Sequence, residues 1–312
     1  MAVIKPKTIQ KGGTIAFVAP AGSPDNKSLK SGAEYFQKLG YKIKIYPQVR
    51  RKNRYLAGDD DSRADAFNDA FADNNIDAVF CVRGGYGAIR ILDKIDFNII
   101  KKNPKPFVGY SDITVLLLSI FRQTGMVTFH GPMPAIDFCP RPRRYTRDYF
   151  LKALFTNQPI GEISTPKVYK ISKISSGSAN GTIIGGNLSL MAKLVGSDYR
   201  PSFKNRIVFF EDIGENPERV DGYLAQLFMS TDFDKARGYI VGEFSDDKYR
   251  DKNKKDWTVL QVIKDYFGKI GKPVIFGFPC GHGNEKITIP IGTRVLLDAD
   301  KKLVVFKETG VR

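Results

Sequence analysis

The sequence predicts an α/β protein of two domains: a parallel sheet covered by helices in the first half, and a smaller α+β domain compatible with a small barrel in the second. Three observations carry this reading. The 312 residues exceed what most single cores organise. Short apolar runs alternate with helix-like segments up to residue 138. Beyond that point the alternation gives way to isolated strand-like runs.

Taken in order, Thr14 to Ala19 reads as a buried strand ending in Pro20-Ala21-Gly22-Ser23. A helix follows from Lys27, with Leu29, Ala33, Phe36 and Leu39 on one face and Gly40 closing it. Tyr41 to Tyr46 and Ile76 to Val82 read as strands, Ala64 to Ala72 and Ile89 to Ile95 as helices. Phe107 to Tyr110 is a short strand, Asp112 to Thr124 an apolar helix and Val127 to Phe129 a further strand. The proline-rich Cys139 to Arg144 cannot continue a helix. Residues 1–138 are therefore expected as one domain, 139–178 as a connector and 179–312 as the second domain. The latter holds strands over 207–210, 239–241, 274–276, 294–297 and 302–306, and an amphipathic helix from Pro217 with Val220, Tyr223, Leu224, Leu227 and Phe228 inward.

Composition narrows the function. The start of the chain lacks the apolar stretch of a secretory signal, and the longest apolar run, Ile113 to Phe121, is too short for a membrane span. A soluble, cytoplasmic protein is expected, with no membrane partner. The net charge of +16 fits nucleic acid, an anionic membrane surface or acidic small substrates. The basic residues are scattered, however, and the densest clusters, Arg141 to Arg147 and Lys248 to Lys255, lack interleaved aromatics, which argues against nucleic acid. The three cysteines, Cys81, Cys139 and Cys280, give neither a disulfide framework nor a zinc pattern. Two histidines cannot build a multi-histidine metal site, so no metal and no cofactor is expected.

In open parallel sheets, functional residues gather where strands end and helices begin. Three such junctions stand out. Ala19 to Ser23 is a candidate substrate-binding turn or an ordinary βα loop. Arg83-Gly84-Gly85-Tyr86-Gly87 can present backbone N–H groups to an anion or an oxyanion, or be a plain glycine turn; it matches neither a P-loop nor a dinucleotide fingerprint. In Gly109-Tyr110-Ser111-Asp112 a strand runs straight into a helix. Ser111 is placed there either as a helix cap or as an exposed nucleophile, with the Asp112 N–H able to stabilise an oxyanion. The G-x-S-x-G elbow pattern is incomplete, because Ile113 stands where its second glycine belongs.

A serine nucleophile needs a base and an orienting carboxylate. The candidates for the base are His130, in Phe129-His130-Gly131-Pro132, and His282, in the glycine-flanked Gly281-His282-Gly283. Glu211, at the end of the apolar run before Asp212-Ile213-Gly214-Glu215, is a carboxylate that burial would force to find a partner. Asp212 or Glu215 could instead serve the N-terminus of the following helix. Cys280 reads as a packed small residue, with a reactive role as the alternative.

Together these segments, with Met133 after Pro132 and with Gly185-Gly186-Asn187-Leu188, resemble the LD-carboxypeptidase (muramoyltetrapeptide carboxypeptidase) family, in family order and over nearly the whole chain. The resemblance implies a flavodoxin-like first domain, a barrel-like second domain and a homodimer. It implies a triad of Ser111, Glu211 and His282, with Asp112 and Gly85 as oxyanion donors and Arg83, Gly84 and Tyr86 as substrate-binding residues. The implied reaction removes terminal D-alanine from cytosolic murein tetrapeptide during cell-wall recycling. Two other readings stand beside it. One is a hydrolase resembling the microcin C immunity proteins, with Tyr145, Tyr149 or Tyr169 of the unaligned region 141–178 stacking on a nucleobase. The other is a non-enzymatic module that binds an anionic ligand.

Overall fold

The apolar runs of the first half become the strands of a helix-covered parallel sheet. The computed structural model describes residues 2–166, 168–245 and 257–312. The basic cluster Lys248 to Lys255 lies outside the described residues. The chain divides into two units, residues 1–158 with 287–292 and 309–312, and residues 159–286 with 293–308.

The first unit runs β1 (Thr14–Val18), α1 (Asn26–Lys38), β2 (Lys42–Ile45), α2 (Asp60–Ala72), β3 (Ala78–Cys81), α3 (Phe97–Lys102), β4 (Phe107–Gly109), α4 (Thr114–Thr124), β5 (Thr128–His130), α5 (Pro134–Asp137) and α6 (Arg144–Phe155). Two of the helices start where a side chain takes up a free N–H group: Asp25 accepts from Ser28 N before α1, and Asp59 from Ser62 N before α2. The helix expected over 89–95 is a 3₁₀ helix, Ala88–Lys94, entered from a left-handed Gly87. The parallel strands stand in the order β2-β1-β3-β4-β5, which is the flavodoxin-like order the resemblance implied. In that arrangement ligands bind beyond the carboxyl ends of β1 and β3, where the strand order reverses.

Residues 139–178, expected as one connector, are divided between the units. Phe150 on α6 packs against Phe36, Phe80 and Phe138 with ring centroids 5.9, 5.6 and 5.0 Å away. Each fully buried ring of this kind stabilises the fold by about 1.5–3 kcal/mol, which fastens α6 to the first unit. The prolines at 140 and 142 mark only the bend before it.

The second unit contains β6 (Gly161–Glu162), β7 (Ser172–Ser175), β8 (Ser178–Asn187), α7 (Leu188–Lys193), β9 (Arg206–Ile213), α8 (Pro217–Ser230), β10 (Gly238–Ser245), α9 (Val259–Phe267) and β11 (Val274–Phe276). The chain then returns to the first unit as β12 (Ile289–Ile291), antiparallel to β5, before β13 (Arg294–Asp298) and β14 (Leu303–Phe306) complete the second. The sheet order is β6-β14-β13-β8-β9-β10-β11-β7, with β8 to β11 parallel to one another. Asn216 caps α8 with Pro217 at its first turn, and Val220, Leu224 and Leu227 are buried as the periodicity requires. Among the described residues, no helix is long and apolar enough to cross a membrane.

Candidate active site

The three junctions singled out in the first unit form one cluster. Gly22 N donates to Gly84 O at 3.0 Å, and Arg83, half-buried, reaches Ser23 O with Nη1 at 3.3 Å. The Asp112 carboxylate is buried and accepts from Ala88 N at 2.8 Å, which ties the glycine turn to the serine corner. Gly84 lies against that corner so closely that a β-carbon on it would stand 3.0 Å from Ser111 Cβ and 3.3 Å from Ser111 Oγ. Gly85 and Tyr86 are exposed on the same turn.

Ser111 occupies the left-handed region at φ 63°, where few residues other than glycine sit. It is not the helix cap. Tyr110 holds the cap position of the short 3₁₀ turn Ser111–Ile113, without a side-chain hydrogen bond, and Ser111 is the first residue inside. A strained serine between a strand and a helix, with the next backbone N–H at a helix start, is the arrangement a nucleophile elbow exploits.

In the second unit, β9 carries Glu211 to a wholly buried position beside Asn187 of β8. Its Oε2 lies 2.7 Å from His282 Nδ1. With Glu211 ionised the carboxylate can only accept, which requires the proton on Nδ1 and leaves Nε2 as the basic nitrogen of the neutral ring. The His282 ring keeps 12% of its side-chain surface exposed, whereas Glu211 keeps none. The other histidine is placed differently: His130 is buried within β5, its ring edge-on to Tyr110 with centroids 6.0 Å apart.

The residues around Glu211 have separate duties. Asp212 accepts from Asn187 Nδ2, Ser189 N and Ile213 N at 2.8, 2.8 and 2.9 Å, so it braces the start of α7 rather than α8. Burial, and then the charge of Glu211, pushes its carboxyl up to about 6. Glu215 bonds to Arg219 Nη1 at 3.2 Å in the first turn of α8. Burial first, then the charges of Glu211 and Glu243, pushes the Cys280 thiol well above its usual range, which disfavours a thiolate there.

Three residues at these sites carried no sequence signal. Arg63 on α2 is fully buried, donates to Pro20 O and, at 2.8 Å, to Gly87 O, and so fastens two of the three junctions together. Tyr55 stands edge-on to Tyr86 with ring centroids 5.5 Å apart. Glu243, on β10, faces the His282 loop. Of the tyrosines considered for stacking, Tyr145 and Tyr149 pair on α6 at 4.7 Å, while the Tyr169 hydroxyl donates to Glu285 O at 2.9 Å. Among the described residues, no group of three or more His, Cys, Asp or Glu is placed to hold a metal ion.

Comparison with known proteins identifies the family of both halves of the chain. Residues 15–131 match the LD-carboxypeptidase N-terminal domain and residues 180–297 the LD-carboxypeptidase C-terminal domain. A Bacillus subtilis protein named "Probable murein peptide carboxypeptidase" is 35% identical over 98% of this chain and 95% of its own length. The solved structure of muramoyltetrapeptide carboxypeptidase from Oxalobacter formigenes superposes with a TM-score of 0.82 at 28% identity, covering 95% of this chain and 99% of that one. The structure of MccF in complex with glutamyl sulfamoyl guanosine superposes with a TM-score of 0.90 at 25% identity, covering 99% of both chains. On both domains and over nearly its whole length, this chain belongs to the LD-carboxypeptidase family of peptidases.

Proposed function

We propose that this protein is a serine carboxypeptidase that cuts the L,D peptide bond of murein tetrapeptide and releases the terminal D-alanine. The observation that carries this reading is the buried Glu211 carboxylate 2.7 Å from His282 Nδ1, in a chain 35% identical to a protein named as a murein peptide carboxypeptidase. Ser111 is the nucleophile. His282 Nε2 takes its proton as Oγ attacks the carbonyl, and the N–H groups of Asp112 and Gly85 hold the oxyanion. His282 then gives the proton to the departing amine of D-alanine. Water, activated by the same imidazole, releases the shortened peptide from the acyl-enzyme. Glu211 fixes the ring and stabilises the imidazolium. Arg83, Gly84 and Tyr86 bind the peptide, whose carboxylates suit the positive net charge. The reading includes a cytoplasmic homodimer acting in cell-wall recycling.

A second reading has its own support in the likeness to MccF with a bound glutamyl sulfamoyl nucleoside: hydrolysis of an aminoacyl-nucleotide analogue. Incubation with murein tetrapeptide and with glutamyl sulfamoyl guanosine, followed by mass spectrometry, separates the two. Release of D-alanine supports the first. An intact tetrapeptide beside a cleaved nucleotide analogue overturns it in favour of the second.

A further inference from the structure

His282 is flanked by two glycines, and each is pressed against a different carboxylate. A β-carbon on Gly281 would overlap Glu211, and one on Gly283 would overlap Glu243. Glu243 arrives there through an irregularity in β10. Its neighbours pair in regular parallel register with β9, Val241 with Phe210 and Phe244 with Asp212, and the register shifts between them. The shift leaves Gly242 and Glu243 as the extra length opposite Glu211. Glu243 N approaches Cys280 O at 3.5 Å, and a β-carbon on Gly242 would stand 3.0 Å from Glu211 Cβ.

On its other side the loop is held by Tyr169. The Tyr169 hydroxyl donates to Glu285 O at 2.9 Å and accepts from Glu285 N at 3.1 Å. The same hydroxyl is near enough to the Glu243 carboxylate to draw its pKa down. Residues 281–285 are thus clasped between β10 and the segment before β7.

We propose that Glu243 is a second positioning carboxylate for His282, clamping the loop together with Tyr169 and adding a negative charge that favours the imidazolium formed during catalysis. The charged and titratable groups facing Glu243 are Tyr169 from the segment before β7, Glu211 from β9, Cys280 from the segment after β11, and His282 and Lys286 from the loop. Burial foremost pushes the Glu243 carboxyl up to about 7, with Tyr169, Lys286 and His282 opposing and Glu211 reinforcing the rise. Glu243 therefore changes charge close to neutral pH, beside the ring it faces.

This role rests on the reading of His282 as the base, but the titration of its ring is a property of the resting protein and needs no substrate. The test is histidine-ring NMR of the full chain from about pH 5 to 9, with His130 as the internal reference. It compares wild type, Glu243→Gln, Glu243→Asp and Tyr169→Phe. In Glu243→Gln the His282 transition is expected to move down by about half a unit or more and to sharpen into a single step, because a nearby anion that itself titrates has gone. Glu243→Asp, which keeps the charge, retains part of the wild-type midpoint. Tyr169→Phe leaves the charge in place and is expected to broaden the loop signals. If turnover is found, Glu243→Gln lowers kcat about tenfold while KM stays within about twofold. A folded Glu243→Gln protein whose His282 curve matches wild type in midpoint and shape would overturn the proposal. So would Glu243→Asp behaving like Glu243→Gln. A normal Glu243 effect on the ring beside no peptidase activity would count against the proposed reaction and leave the clamp standing.

Discussion

Gly281 sits so close to the carboxylate of Glu211 that no side chain fits between them: a β-carbon at Gly281 would overlap Oε2, Cγ and Cδ of the glutamate. The backbone there is also left-handed, at φ 98°. The residue before His282 is thus fixed as glycine twice over, by conformation and by space.

Gly281→Ala is therefore expected to displace either Glu211 or the loop and to break the 2.7 Å bond to His282. The loss of kcat should be on the order of a hundredfold, with melting lowered by a few degrees at most. Steady-state kinetics beside a thermal melt checks this. A variant with near-wild-type kcat would show that the Glu211–His282 contact does not matter for turnover.

Ser111 offers a test that separates stability from chemistry. At φ 63° a serine is strained and a glycine is not. Ser111→Gly should raise unfolding stability by about 1 kcal/mol while abolishing hydrolysis. Ser111→Ala should abolish hydrolysis without that gain. Urea unfolding and a peptide-release assay read the two effects, and residual turnover in either variant would remove Ser111 from the nucleophile role.

The triad makes a prediction about combination. His282→Ala should cost about as much turnover as Ser111→Ala, Glu211→Gln less than either, and the double variant Ser111→Ala/His282→Ala little more than one single. His130 is the contrast, since it lies buried in β5. His130→Ala should cost about 1–3 kcal/mol of stability through the space it leaves, with kcat of the remaining folded protein little changed. Losses that multiply across the double variant would dismiss the assignment of His282 as base.

Stability should carry the signature of Glu243. Its folded carboxyl titrates at about 7 against an unfolded value of 4.5. The folded state thus holds a proton that the unfolded chain has already lost, and this contribution is present below the unfolded value and fades as pH rises toward 7. Glutamine mimics the protonated form. Glu243→Gln should therefore gain stability relative to wild type as pH rises from about 5 to about 8. Urea midpoints at the two pH values measure it, and a difference independent of pH would mean that Glu243 is not held protonated.

Much of this was legible from residue order. A strand ending in Tyr110 and a helix beginning after Ser111 placed the serine at a corner, and an apolar run ending in Glu211 announced a buried carboxylate. What was hidden depended on contacts between distant segments. Arg63 lies in Asp59-Asp60-Asp61-Ser62-Arg63, which reads as a solvated helix start, yet it is wholly buried because backbone carbonyls of two turns receive it. Strand β8 was masked by its polar and glycine content, Ser178 to Asn187, since its position is set by pairing with β9 and β13 rather than by its own propensity. Glu243 follows the strand-like run 239–241 with nothing in the sequence to mark it, and the register shift in β10 places it opposite Glu211.

The return of the chain to the first unit governs the order in which the protein can be made. Strand β5 has β4 on one side, and its other side is covered by β12, residues that a ribosome adds only after the whole stretch 159–286. During synthesis the nascent first unit waits with that edge uncovered, able to pair with a neighbouring chain. The two units are therefore not successive beads that finish one after the other. The second must be largely translated before the first can close, and a fragment ending near residue 158 would carry an open, adhesive sheet edge that the intact chain conceals.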